Sequence, residues 1–273
     1  MCKENFIHVC FIVDSSGSMS GSEADIVGGF NKTIEEQKAV KDGQCAVSFF
    51  SFDNSVQERF IGKDVKDVKE LTASHSIFDN CLYTTTSSSV SITVKNGTAD
   101  IDVTAKEYTN DPLYVYRPSG MTAMNDGIGT AIDKIGKWLS EMPEEERPSK
   151  NLIVIMTDGE ENASTEYSLK KVQEMIKHQT EKYNWTFIYM GMDISNAKAA
   201  DDLGIKGRSF STKIGSHMYK NYSNISEATT CYRCASVNSI QASAVMDDML
   251  DVSLKAMTKE YENLTGNKVN SNI

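Results

Sequence analysis

The chain has 273 residues, 40% hydrophobic and 24% charged, proportions of an ordinary soluble globular protein that exclude a disordered or fibrous one. Its net charge of -10, from 38 acidic against 28 basic side chains, argues against nucleic acid as a partner, because no Lys/Arg stripe offsets it. The opening MCKENFIHVC reaches a charged pair with no apolar leader, and no stretch nears the roughly 18 apolar residues of a membrane span. A cytoplasmic protein without a membrane partner is expected. The six cysteines form no disulfide framework, and the lone CxxC of Cys231 and Cys234, with no second pair or nearby histidine, is thin support for zinc.

FIHVCFIV (6–13) is a nearly continuous apolar run, which predicts a strand buried on both faces of a parallel sheet. Ile26, Phe30 and Ile34 then recur at four-residue spacing and predict an amphipathic helix closed by KDG. Gly28 and Gly29 lower that helix's stability, and close packing against the sheet is their expected reason. CAVSFFSFD (45–53) and VQERFIG (56–62), separated only by Asn-Ser, predict an antiparallel hairpin at a sheet edge.

Residues 74–111 are rich in Ser and Thr. Within them Val90, Ile92 and Val94 alternate up to an Asn96-Gly97 turn, and Ile101, Val103 and Ala105 alternate after it, the pattern of a hairpin inserted in the fold. It serves either as surface decoration or as a partner-binding arm. Met124, Ile128, Ile132, Ile135 and Leu139 mark a second helix, NLIVIMTD (151–158) a second buried strand, and Leu169, Val172 and Ile176 a third helix. WTFIYMG (185–191) is a further core strand, a short helix follows in SNAKAADDLGI, and GRSFST (207–212) is a last edge strand. The tail is read as helical, with Val245, Met249, Val252 and Met257 facing the core. These elements predict one α/β domain over 1–273. Its sheet is doubly wound and mostly parallel with one antiparallel edge strand, its helices lie on both faces, and a helical C-terminal extension begins at about residue 213.

In open α/β sheets, functional residues gather on loops at the carboxyl ends of the strands. Three such loops stand out: Asp14-Ser15-Ser16-Gly17-Ser18, PSGMTAMND with Thr122, and MTDGEEN with Asp158. Each offers hard oxygens and none offers a cysteine thiolate or imidazole, a donor set suited to Mg²⁺ or Mn²⁺. Asp and Ser at such positions also cap helices, the plainer use of each loop taken singly. Glu160 and Glu161 are expected to form a solvated charge pair at a helix N-terminus rather than to add ligands.

DSSGS, GMTAMND and TDG, in this order and after strands, resemble the three parts of the metal-ion-dependent adhesion site (MIDAS) of von Willebrand factor A domains. The match is complete at Asp14, Ser16, Ser18, Thr122 and Asp158. GGFNKTIEEQK, TDGEENAS and WTFIYMGMDISNAKAADDLGI are similar to uncharacterised single-domain bacterial and phage members of that family. The resemblance covers about residues 5–62 and 116–212; the Ser/Thr-rich segment departs from it, and the tail is only loosely similar. It implies a Rossmann-like fold in which Ser16, Ser18 and Thr122 ligate Mg²⁺ or Mn²⁺ through hydroxyls, with Asp14 and Asp158 acting largely through water. It also implies a partner protein presenting Asp or Glu, an AAA-type ATPase or another assembly component, as in relatives of the family.

An enzyme is the competing class. A phosphotransferase built on the first strand would want an acid two positions after Asp14, where Ser16 stands. There is neither a GxxxxGK[ST] loop nor a G-x-S-x-G elbow, and His8, His75, His178 and His217 share no context. Metal-assisted hydrolysis would need Glu160 or Glu161 as general base. A structural protein with a vestigial metal site is the third class. The reading adopted is a non-enzymatic, divalent-metal-dependent protein-binding module.

Overall fold

The computed structural model describes residues 3–73, 111–158, 160–191 and 197–205, the strand residues 81–86, 89–94, 97–98 and 209–211, and residues 226, 229, 230 and 233. The calls on Ile101, Val103 and Ala105, on Cys231 and Cys234, and on the helical tail from Val245 to Met257 lie outside the described residues.

β1 (Lys3–Asp14) is followed by α1 (Glu23–Ala39) and the hairpin of β2 (Gln44–Phe52) and β3 (Val56–Asp64). β4 (Thr72–Ala73) comes next, then β5 (Cys81–Thr86), β6 (Ser89–Val94) and β7 (Gly97–Thr98). The chain continues through β8 (Val115–Tyr116), α2 (Met124–Glu141), β9 (Pro148–Thr157), α3 (Leu169–Tyr183), β10 (Thr186–Gly191), α4 (Ala197–Asp202) and β11 (Ser209–Ser211). Six strands form one sheet in the order β11-β10-β9-β1-β2-β3. All neighbours pair in parallel except β2 and β3, so the antiparallel edge falls where the Asn-Ser turn places it.

The apolar run of β1 is explained by its central position. Ile7, Val9, Phe11 and Val13 face a core layer with Ile26, Phe30 and Ile34 of α1. Cys10 and Ile12 face the opposite layer, with Ile128, Ile132 and Ile135 of α2 and Val172 and Ile176 of α3. Helices therefore cover both faces, and each such fully buried side chain contributes about 1.5–3 kcal/mol. On the α1 side, Phe11, Phe30, Phe49, Phe60 and Tyr114 follow one another ring to ring, with centroids 5.1 to 6.0 Å apart. His8, within β1, is fully buried and bonded to Asn151 at 3.2 Å and Ser48 at 2.7 Å, a satisfied core histidine. Cys10 and Cys45 are buried free thiols.

Three expectations are corrected. Gly28 has open space where a side chain would begin, so close packing is not its reason. The demand for a glycine lies in α2, where a Cβ on Gly127 would stand 2.7 Å from the Phe52 ring. In the inserted segment Val94 pairs with Gly97, so Gly97 belongs to a strand rather than to the turn, and β5 pairs with β6 as a strand not expected there. These three strands form a sheet of their own. Among the described residues no helix is long and apolar enough to cross a membrane.

Candidate metal centre

β1 ends on Asp14, whose backbone oxygen accepts the Tyr116 hydroxyl at 2.6 Å. Ser15 turns the chain inward, its N–H and its hydroxyl both donating to the Phe52 carbonyl at 2.7 and 3.0 Å. A single 3-10 turn, Gly17–Met19, then buries Met19 and leaves Ser18 exposed at the sheet's carboxyl end. The serines do not cap helices: Ser16 precedes the turn with no side-chain cap bond, and α1 is preceded by Ser22, likewise without one. Instead the Ser16 and Ser18 hydroxyls lie 2.9 Å apart, and Ser18 Oγ donates to Asp158 Oδ1 at 2.7 Å.

Asp14 is fully buried beneath them. Its Oδ1 accepts the Ser16 N–H at 2.7 Å and its Oδ2 the Thr157 hydroxyl at 2.6 Å. Burial pushes its pKa above the ordinary carboxylate value, the bonds from Thr157 and Ser16 oppose the rise, and the Asp158 charge adds to it. Thr157, the residue before Asp158, thus fastens the end of β9 to the end of β1.

The second loop is held by its backbone. Gly17 N–H donates to Gly120 O at 3.0 Å and Ser119 N–H to Ser15 O at 2.7 Å, which fixes this loop on the first. Gly120 has φ +76°, and Met121 N–H donates to Asn54 Oδ1 at 2.6 Å. Thr122, 3% exposed, donates its N–H to Asn162 Oδ1 at 2.8 Å and accepts the N–H groups of Asn162 and Ala163 at 3.0 and 3.2 Å.

The third loop departs from expectation. Glu161 is no member of a solvated pair. Its oxygens accept the N–H of Asn125 in the first turn of α2 (2.8 Å), the N–H groups of Ala163 and Ser164 (3.0 and 2.8 Å) and the Ser164 hydroxyl (2.7 Å). Asp126 answers from α2, accepting the N–H groups of Thr165, Glu166 and Tyr167 at 2.8, 2.9 and 2.7 Å. Glu160 is exposed. Glu161, Asp126 and Asn162 position the Thr122 and Asp158 loops against each other. Their spacing gave no sign of this, because the bonds run to backbone N–H groups.

Ser16, Ser18 and Asp158 thus form one hydrogen-bonded chain of oxygens, Asp14 is tied to it through the Ser16 N–H, and Thr122 stands on a loop pinned to both its neighbours. With Mg²⁺–O distances of about 2.0–2.1 Å, adjacent oxygens of an octahedron lie about 2.9 Å apart. The 2.9 and 2.7 Å separations here are of that size, so the Ser16, Ser18 and Asp158 oxygens are spaced as neighbouring ligands of a small hard cation would be. Among the described residues no three His, Cys, Asp or Glu side chains gather as a metal cluster. The candidate site is of another kind, two carboxylates and three neutral hydroxyls.

No protein-family model and no curated protein matches the chain. Solved structures do. Proximal thread matrix protein 1 from the mussel byssus is 10% identical, with a TM-score of 0.50 over 83% of this chain and 47% of its own. A structure of the same protein with a zinc-occupied MIDAS motif is 12% identical, with a TM-score of 0.49 over 82% and 46%. A von Willebrand factor type A protein from Catenulispora acidiphila is 11% identical, with a TM-score of 0.46 over 84% and 43%. The chain spans about half the length of the mussel protein. At such identities the likeness is one of fold, and that fold is the doubly wound α/β sheet expected from the sequence.

Proposed function

We propose that the chain is a divalent-cation-dependent protein-binding module. Ser16, Ser18 and Thr122 hold Mg²⁺ or Mn²⁺ through their hydroxyls, and Asp14 and Asp158 stand behind them. The observation that carries this reading is the run of oxygens Ser16–Ser18–Asp158, at 2.9 and 2.7 Å, at the carboxyl end of the sheet. When bound, the ion supplies an electron-poor centre with a position open to the carboxylate of a partner. Asp14, tied by two donors, stays in place as a buried counter-charge, while Ser18 at the surface sets the direction of approach. Neutral hydroxyls leave most of the ion's charge for the incoming Asp or Glu. The partner proposed is a protein with an exposed acidic residue, an AAA-type ATPase or another assembly component.

Recognition rather than hydrolysis is supported by Glu161. Of the two glutamates that could act as base, it is committed to four donors. Calorimetric titration of Mn²⁺ and Mg²⁺ into chelator-stripped protein, beside Ser16→Ala/Ser18→Ala, tests the reading. One site that disappears in the variant is expected. Equal behaviour of the two proteins up to several millimolar metal, a range set by the weakest protein sites for such ions, would overturn it.

A further inference from the structure

Among the described residues the pairing of β1 with β9 ends at Val13 and Met156, and the Asp14 carbonyl lies one residue past that point. The Tyr116 hydroxyl reaches it across 102 residues of chain and donates at 2.6 Å. Tyr116 is 1% exposed and stands in the core layer of α1, where bulk water has no access to replace that donor. Asp14 is thereby tied at three atoms: Oδ1 to the Ser16 N–H, Oδ2 to the Thr157 hydroxyl, and its backbone oxygen to Tyr116. The first two ties come from the serine loop and from β9. The third comes from outside the three loops.

Its origin is the base of the inserted segment. β4 and β8 close that base, with Thr72 beside Val115 and Ala73 beside Tyr116. Lys69 and Asp111 pair across the same two stretches of chain at 3.1 Å. Leu71, just before β4, exchanges two bonds with Asn31 of α1: its N–H donates to Oδ1 at 2.7 Å, and its carbonyl accepts from Nδ2 at 2.9 Å. Past Tyr116 the chain runs straight into Ser119 and Gly120, which fasten the Thr122 loop on the serine loop. The base therefore holds the strand end before the serines, through Tyr116, and the helix after them, through Asn31.

We propose that Tyr116 is a positioning residue of the cation site: its hydroxyl fixes the Asp14 main chain so that Ser16 and Ser18 meet the ion, and it couples the base formed by β4 and β8 to cation binding. This rests on the metal-binding reading above and adds a residue that no loop motif contains. Coupling is reciprocal, so a base that aids the ion is steadied by the ion in turn. Groups behind a metal's ligands contribute about 10–100-fold in affinity. Tyr116 acts on main chain that Ser15 also anchors, so the lower end of that range is expected.

The test is Tyr116→Phe beside Ile176→Val, a control in the core layer on the other face of the sheet. Each removes one small buried group, and the Tm of each should fall by about 2–6 °C. Calorimetric titration of Mn²⁺ into the chelator-stripped full chain should then separate them, with affinity about tenfold lower in Tyr116→Phe and within about twofold of the unaltered protein in Ile176→Val. Saturating Mn²⁺ should also slow hydrogen exchange of the Leu71 amide in the unaltered protein. An affinity within about twofold in Tyr116→Phe would overturn the inference while leaving the metal site standing. An equal loss in Ile176→Val would overturn it too, since affinity would then follow overall stability, and so would exchange at Leu71 that ignores Mn²⁺. No Mn²⁺ binding by the unaltered protein would remove the metal reading and this inference together.

Discussion

Glu161 Oε2 accepts the backbone N–H of Asn125 at 2.8 Å, so the loop after β9 caps the helix that follows Thr122. One carboxylate thereby couples two of the three loops. Glu161→Ala strands the Asn125, Ala163 and Ser164 N–H groups, and a loss of about 2–3 kcal/mol in urea unfolding is expected. Mn²⁺ affinity should fall with it although Glu161 is no ligand, and an unchanged affinity would separate the clamp from the site.

Two helix glycines should respond with opposite signs. Gly28→Ala in α1 enters open space and should stabilise by about 0.5–1 kcal/mol through helix propensity. Gly127→Ala in α2 drives a Cβ to 2.7 Å from Phe52 and should destabilise by about 1–3 kcal/mol. Thermal unfolding of both variants reads the difference.

His8 makes stability depend on pH. Burial lowers its pKa from 6.5 to about 4, with the bond to Asn151 opposing the shift. The unfolded chain takes up a proton below pH 6.5 that the folded one refuses, so this contribution is present above that value and is lost as pH falls toward 4. Between pH 7.5 and 4.5 the unaltered protein should lose about 2–3 kcal/mol more than His8→Gln. Parallel pH profiles for the two proteins would show that His8 is not the group responsible.

Among the described residues the sheet of β5, β6 and β7 pairs with no strand of the six-stranded sheet. Because β5 pairs with β6 throughout, a deletion must take all three strands, residues 80–106. Such a deletion should leave Mn²⁺ affinity within twofold and weaken only partner binding, if this sheet selects the partner. Loss of the cation site would tie the insertion to the fold instead.

Much of this was written in the chain. FIHVCFIV and NLIVIMTD announce strands buried on both faces, and their neighbours β2 and β10 complete that pattern. The hydroxyls of Ser16 and Ser18 were legible because they follow such a strand. The supports were not. Glu161 and Asp126 act on backbone N–H groups about 40 residues away, and backbone donors carry no residue identity. Tyr116 reads as one more aromatic in LYVYRP, since a sequence does not show which hydroxyl reaches a carbonyl 102 residues away. β4 and β8, two residues each, are too short for any periodicity. Gly28 stood beside Gly29, and only the surroundings show that packing makes no demand there.

The bond from Ser18 to Asp158 spans 140 residues, and it can form only after β9 has paired with β1. β1 can first pair with β2, its nearer neighbour in the chain, while the edge meant for β9 stays open. That later closure carries the larger loop entropy and belongs to the slow, non-local part of folding. During synthesis, both serines are present long before the carboxylate they bond to. A cation that binds the assembled oxygens therefore distinguishes finished molecules from partly paired ones and stabilises only the former.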